Sequence, residues 1–337
     1  MIKTFPYLEI KGTYYEVGHA IGEMFRGKIQ ETIEDRKKTI SRYQERLDQT
    51  KPYYKEAKAY FPQLVDEMRG MTDGAQIELP DLFFHNNPEV YDRMAEWDRE
   101  RVETSDHCTI AVSFNKEGAL VGHNEDWSIE SLDELYVLKA TVGNTTFLGL
   151  NYATFLPGSS ASLNQWGLVQ CINELEQENK IGVPKYFLAR AILECKNLEE
   201  AETLILKTNR ASGYNHMLVQ GDDLWDIEIA GHDIDVVKQE NTPYVHTNHC
   251  ISKHMIQYQK FASQSSLERY KRARELVKND MTKETMIDLL SDTTNTEFPI
   301  CRENFTIASV LIEPHNFTMH VCYGMPSKDR RYMPYEL

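Results

Sequence analysis

A chain of 337 residues can bury a sizeable core, either as one large mixed domain or as two ordinary ones. Its 41% hydrophobic and 26% charged residues exclude disordered, collagen-like and membrane classes, and a net charge of −15 without a basic stripe argues against nucleic acid as a partner. The opening "MIKTFPYLEIKG" has neither the architecture of a signal peptide nor a run near the roughly 20 apolar residues that span a bilayer, so we expect a cytoplasmic protein without a membrane partner, acting on a small molecule.

Along the chain, "YYEVGHAIGEMFRGKIQETIEDRKKTISRYQERL" places Val17, Ile21, Met24, Phe25, Ile29 and Ile33 at helical spacing and predicts one long amphipathic helix. A second helical stretch, "YFPQLVDEMRGMTDGA", follows, and Pro80 in "LPDLFFHN" suits a first helical turn, so the first hundred residues are expected to be mainly helical. From Cys108 the period changes to two: "CTIAVSFN", "ALVGHNEDW", "YVLKATVG", "TTFLGLNYATF", "SSASLNQ" and "GLVQCINEL" read as short strands separated by turns. "VPKYFLARAILECKNLEEAETLILKT" returns to helical period, and strands resume at "HMLVQGDDLWDIEIA", "DIDVVKQ" and "YVHTNHC". Helices at "SSLERYKRARELVKN" and "KETMIDLLSD" precede a last pair of strands, "TIASVLIEP" and "FTMHVCYG". Runs of strands and runs of helices, without steady β-α-β alternation, indicate an α+β chain of antiparallel sheets with helices packed outside them.

The six cysteines have no CxxC spacing and read as thiols. Cys171, Cys195 and Cys322 lie among apolar residues as small buried hydrophobes. Cys108 differs, because it heads a hairpin whose return strand carries carboxylates. If Lys116, Glu117 and Gly118 form a three-residue loop, Asn115 pairs with Ala119 and Cys108 lies opposite Asp126; a two-residue loop moves Glu125 there instead.

These segments resemble, in order, the acyl-coenzyme A:6-aminopenicillanic acid acyltransferase family, also called the C45 peptidase family. That family belongs to the N-terminal-nucleophile hydrolases, beside the choloylglycine hydrolases. The resemblance is carried by "IKGTYYEVGHAIGE", "SDHCTIAVSFNKEGALVGHNEDW", "LNQWGLVQCINEL", "VHTNHC", the Ser-x-x-Arg helix in "SSLERYKRARELV", and "TIASVLIEP" with "CYGMPS". It implies an αββα sandwich, two stacked antiparallel sheets between helical layers. Residues 1–107 would form a helical pro-segment or small subunit and residues 108–337 the catalytic portion, packed together as one unit.

The resemblance also implies chemistry. In this family a precursor cuts itself before a cysteine, whose freed α-amine then serves as the base for its own thiol. An α-amine titrates near pKa 7.7–8.0, close to where a base for neutral pH should lie. A thioester forms, and water or an acceptor amine releases the acyl group, so the site can run as hydrolase or acyltransferase on a linear amide. Cys108 is then the nucleophile, Asp126 the carboxylate that orients the amine, and Asn248 the oxyanion donor. Asn173, Asn124, Glu228 and Arg302 are implied near the substrate. No metal or tightly held cofactor is expected, acyl-coenzyme A being the candidate co-substrate, and homo-oligomerisation is left open.

Two departures from the family pattern stand out: His107 replaces the glycine that precedes the cysteine in well-known relatives, and Asn124 stands where choloylglycine hydrolases carry arginine. Alternative readings are an uncut papain-like hydrolase pairing Cys108 with His246 or His249, and a catalytically silent binding protein. His246, His249, Cys250 and His254 are competent zinc ligands, but neighbouring strand residues face opposite ways.

Overall fold

The computed structural model describes residues 3–92 and 108–337. Its frame is a pair of sheets. The first contains β1 (Tyr7–Gly12), β4 (Leu135–Val142), β5 (Thr145–Tyr152), β6 (Ala161–Asn164), β7 (Val169–Asn173), β8 (Asn215–Gln220), β9 (Asp223–Ile229) and β10 (Ile234–Glu240), hydrogen-bonded in that order. The second runs β11 (Tyr244–His246), β2 (Thr109–Asn115), β3 (Gly118–Asp126), β12 (Thr306–Glu313), β13 (Thr318–Tyr323) and β14 (Tyr332–Glu336). β1 lies parallel to β4, and the other pairings between these strands are antiparallel.

Alternation along the strands builds the layers. Ile110, Val112 and Val121 of the second sheet meet Val137, Leu148 and Leu150 of the first in one buried core between the sheets. The opposite face of the first sheet, with Tyr136, Leu138 and Phe147, buries against the helices of the first ninety residues and against Phe187. The outer face of the second sheet, with Ala111, Leu120 and Leu311, is covered by Ala273, Met286 and Leu290 of two later helices. The result is the four-layer αββα arrangement that the resemblance implies.

The expected long first helix is divided into α1 (Tyr14–Met24), α2 (Arg26–Thr39) and α3 (Tyr43–Gln49). Phe25 leaves helical geometry at the first break and buries its ring 4.7 Å from that of Tyr136. Arg42, in the left-handed region, makes the second break. α4 (Lys51–Tyr60) is followed by α5 (Pro62–Ala75), whose proline occupies the first helical turn. α1 crosses α5 at backbone contact: a Cβ at Gly18 would lie 1.9 Å from the Glu67 carbonyl oxygen, and one at Gly74 would lie 2.2 Å from that of His19.

The first segment also joins the sheet through β1, a half-exposed edge strand whose short alternation does not stand out in the sequence. The helical run after residue 184 is split into α6 (Lys185–Ile192) and α7 (Leu198–Lys207), with Asn197 capping the second by accepting from the Glu200 N–H. β14 is a further strand beyond the expected C-terminal pair. Among the described residues, no helix is long and apolar enough to cross a membrane.

Candidate active site

The hairpin register decides what surrounds Cys108. Asn115 pairs with Gly118 and Thr109 with Asn124, so Lys116 and Glu117 form a two-residue turn and the three-residue alternative is not adopted. Gly118, at φ 114°, begins the return strand, and Asn115 Oδ1 accepts from the Glu117 N–H at 2.8 Å. One step beyond the Thr109–Asn124 pair, Cys108 falls beside Glu125. Their side chains share the inner face with Ile110 and His123, while Asn124 and Asp126 belong to the opposite face.

Cys108 therefore reaches a cleft at the end of the inter-sheet layer, lined also by Glu125, Trp127, Tyr152, Phe155, Ser159, Ile172, Glu174, Tyr186 and Tyr214. Its carbonyl oxygen accepts from Asn173 Nδ2 at 3.0 Å and from Arg269 Nη1 at 3.0 Å. Burial pushes the thiol pKa well up, the Glu125 and Asp126 carboxylates push it further, and the backbone at Asp126 and Cys108 works against them. A thiol in this setting needs a base before it can attack.

Asp126 accepts from Thr306 Oγ1 at 2.6 Å through Oδ1, while Oδ2 is buried without a hydrogen-bond partner among the described residues, 3.9 Å from Arg302 Nη1. Burial raises its pKa to about 6, against the opposing pull of Arg302, Arg269 and Thr306. Arg302 also lies over the Phe305 ring at 4.2 Å.

Asn248 accepts from Arg269 Nη2 at 3.0 Å through Oδ1 and donates through Nδ2 to the Glu174 carbonyl at 3.2 Å. Arg269 is completely buried in α8 (Gln264–Leu276), and its Nη1 also donates to Thr109 Oγ1 at 2.8 Å. The Ser-x-x-Arg motif contains this residue, but its role as the tie between Cys108 and Asn248 is not readable from local sequence. Glu125 is the carboxylate that the two-residue alternative places opposite Cys108, and that register is the one adopted.

Asn124 lies away from the cleft lining: it donates to the Leu290 carbonyl at 2.8 Å and accepts from Ser309 at 2.7 Å, fixing α9 (Lys283–Leu290) to the sheet. Glu228 is likewise outside the lining, as are Asp126, Asn173, Asn248 and Arg302; it accepts from the Ile251 N–H at 2.6 Å and contacts His246 Nε2 at 3.2 Å. His246 Nδ1 in turn meets Asn173 Oδ1 at 3.1 Å, so a buried chain runs from Glu228 through His246 and Asn173 to the Cys108 carbonyl. Burial opposes charge on His246, but Asp226 and Glu228 outweigh it and raise its pKa.

The cysteine and histidines considered as zinc ligands are engaged separately: His249 with Ser266, Cys250 with Gln177 and His254 with Asp233. The donor sets that do converge among the described residues are Cys108, His123 and Glu125, and Asp226, Glu228 and His246, each within 4.8 Å of one another. His107 and the bond before Cys108 lie outside the described residues.

A buried thiol at the edge of an αββα sandwich, with its carbonyl clamped and its sulfur facing an acidic and aromatic cleft, defines a candidate acyl-transfer site. The sequence profile of the acyl-coenzyme A:6-aminopenicillanic acid acyl-transferase family matches residues 113–328, and the chain belongs to this family. Over 215 residues it is 30% identical to the beta-alanyl-dopamine/carcinine hydrolase of Drosophila melanogaster, covering 58% of this chain and 56% of that protein. Over 313 residues it is 25% identical to the 40 kDa form of the acyl-coenzyme A:6-aminopenicillanic-acid-acyltransferase of Emericella nidulans, covering 88% of this chain and 84% of that one. Among solved structures, the Caenorhabditis elegans N-acylethanolamine-hydrolyzing acid amidase ortholog aligns with a TM-score of 0.48 at 17% identity, over 62% of this chain and 93% of that chain.

Proposed function

We propose that the protein is a cysteine amidohydrolase or acyltransferase that acts on small linear N-acyl amides through a thioester on Cys108. The observation that carries the reading is the placement of Cys108: its side chain lines the cleft, while Asn173 and Arg269 hold its carbonyl. Family membership and two relatives that are a hydrolase and an acyltransferase by name support it.

In this account the chain is cut before Cys108. The freed α-amine takes the thiol proton, and Asp126 Oδ2, which accepts no hydrogen bond among the described residues and has Arg302 Nη1 3.9 Å away, receives the resulting ammonium. The thiolate adds to the substrate carbonyl, and the tetrahedral oxygen is met by the second Nδ2 hydrogen of Asn248, whose amide Arg269 keeps in that orientation. Collapse expels the amine, which leaves with the proton held by the α-amine. Water, deprotonated by the same amine, hydrolyses the thioester; an acceptor amine in its place gives transfer, and acyl-coenzyme A would be a donor for that direction.

A second reading is favoured by one observation: His123 and Glu125 lie within 4.8 Å of the Cys108 sulfur and 2.9 Å from each other. In an uncut chain His123 could serve as the base, with Glu125 orienting it. His246 is a weaker candidate for that role than the sequence suggested, because both ring nitrogens are held by Asn173 and Glu228.

The test is turnover of an amide panel that includes beta-alanyl, phenylacetyl and longer N-acyl amines. Cys108→Ala should abolish hydrolysis while Cys171→Ala retains it. Retained turnover in the Cys108→Ala protein would overturn both readings, and a wild-type protein that binds amides without turning them over would make the chain a binding homologue.

A further inference from the structure

The cleft pairs a carboxylate with aromatic walls. Of the two glutamates lining it, Glu174 is already matched to the Lys185 ammonium, which also lies 4.7 Å over the Tyr214 ring. Glu125 is not matched to a lysine or arginine among the described residues. Its contacts are the Tyr152 hydroxyl at 2.8 Å, the Ser160 hydroxyl and His123 Nε2 at 2.9 Å. Two hydroxyls and an imidazole fix the carboxylate in place, and within this set a compensating charge comes from His123 alone, and only while its imidazole is protonated.

The surrounding lining suits such a cation. Tyr152 and Phe155 meet edge to face at 5.9 Å, and Phe155 lies stacked on Tyr186 at 4.4 Å and on His85 at 4.6 Å, so the wall beside Glu125 is aromatic. Aromatic walls and a fixed carboxylate are a recognition set for an ammonium group.

We propose that Glu125 is a specificity-determining residue, which receives the ammonium of a short ω-aminoacyl group while its carbonyl is attached to Cys108. The geometry suits a short group. Glu125 and the sulfur lie within 4.8 Å. An amine two methylenes beyond the thioester carbonyl reaches about 4 Å from the carbonyl carbon at ~1.5 Å per bond. A β-aminoacyl chain can therefore fold back onto the carboxylate. This rests on the acyl-transfer reading and adds which acyl group the site selects, and by which side chain.

The experiment compares β-alanyl and butyryl p-nitroanilides, which differ chiefly in replacing the terminal ammonium with a methyl group. In the wild-type protein kcat/KM should favour the β-alanyl substrate by about 30-fold or more, the scale of a buried charge pair. Glu125→Gln should collapse that ratio, and Glu125→Asp should restore part of it. A Glu125→Gln protein that loses both activities in proportion, with the ratio preserved, assigns Glu125 to catalysis and overturns the proposal. If Glu125→Gln does not fold, the wild-type ratio decides, together with calorimetric binding of β-alanine against butyrate to the Cys108→Ala protein. Equal or weaker use of the β-alanyl substrate, or equal binding of the two acids, refutes the ammonium site while leaving acyl transfer intact. Failure of both anilides and of the wider amide panel, with no acyl group found on Cys108, refutes the acyl-transfer reading and this inference with it.

Discussion

Arg269 Nη2 donates to Asn248 Oδ1 at 3.0 Å, and Nη1 of the same guanidinium donates to the Cys108 carbonyl at 3.0 Å. One planar fork thus sets the distance between the proposed nucleophile and the proposed oxyanion donor. Arg269→Lys keeps the charge and loses the fork, and a displacement near 1 Å costs on the order of 100-fold in kcat. KM should change far less. A matching rise in KM, with kcat intact, would make Arg269 a substrate-binding element; circular dichroism checks that the variant is folded.

Asp126 gives a pH signature. Its folded pKa is raised to about 6 from 3.8, mainly by burial. If its ionised form holds the α-ammonium, kcat/KM falls as pH drops through about 6, and Asp126→Asn removes that limb while lowering neutral-pH turnover. The stability effect has the opposite sense. A carboxyl with a raised folded pKa binds its proton more tightly when folded, so stability declines as pH rises from 3.8 to about 6. Asp126→Asn should therefore melt no lower than wild type at pH 7, with the difference narrowing below pH about 4. A wild-type acid limb that persists in the variant would assign the limb to another group.

His123 separates the two proposed bases. In a chain cut before Cys108, His123→Gln should leave a fragment beginning at Cys108 and ending at Leu337, with turnover reduced less than about 10-fold, since the α-amine supplies the base. In an uncut chain the same substitution should cost 100-fold or more, the usual scale for a general base. Denaturing intact-mass measurement on wild type and variant reads both outcomes.

The first segment is tied to the rest by a buried ion pair. Glu67 of α5 meets Arg190 of α6 at 2.9 Å, both side chains fully buried, across 123 residues of sequence. Removing Glu67 leaves the buried Arg190 with the partly exposed Glu194 at 3.0 Å, so Glu67→Ala should lower stability by up to about 3–5 kcal/mol, visible as a fall in Tm. The same tie, with β1 in the sheet, would keep the segments together after a cut. A cut protein whose two pieces separate without denaturant would contradict this.

Strand and helix periods were readable wherever they were local. "CTIAVSFN" and "ALVGHNEDW" alternate strongly enough to give the hairpin, and the ordered motifs gave the layers. The register was not readable, because it turned on whether Gly118 belonged to the turn or to the strand, and one residue of slip exchanges Asp126 for Glu125 beside the thiol. Arg269 was visible in its motif, yet its partner Cys108 lies 161 residues away, and no local pattern records such a contact. Glu228 and Asn124 illustrate the reverse: a polar residue at a matching motif position is buried among structural hydrogen bonds instead of lining the cleft.

The most direct test of the account is the acyl-enzyme itself. Wild-type protein mixed with an active amide substrate, quenched in acid during turnover and digested, should carry the acyl mass on the peptide containing Cys108, labile to hydroxylamine as a thioester is. The Cys108→Ala protein should carry none. Steady turnover with the acyl group on another residue, or with Cys108 open to alkylation at full stoichiometry throughout and never acylated, would contradict the claim that Cys108 is the nucleophile.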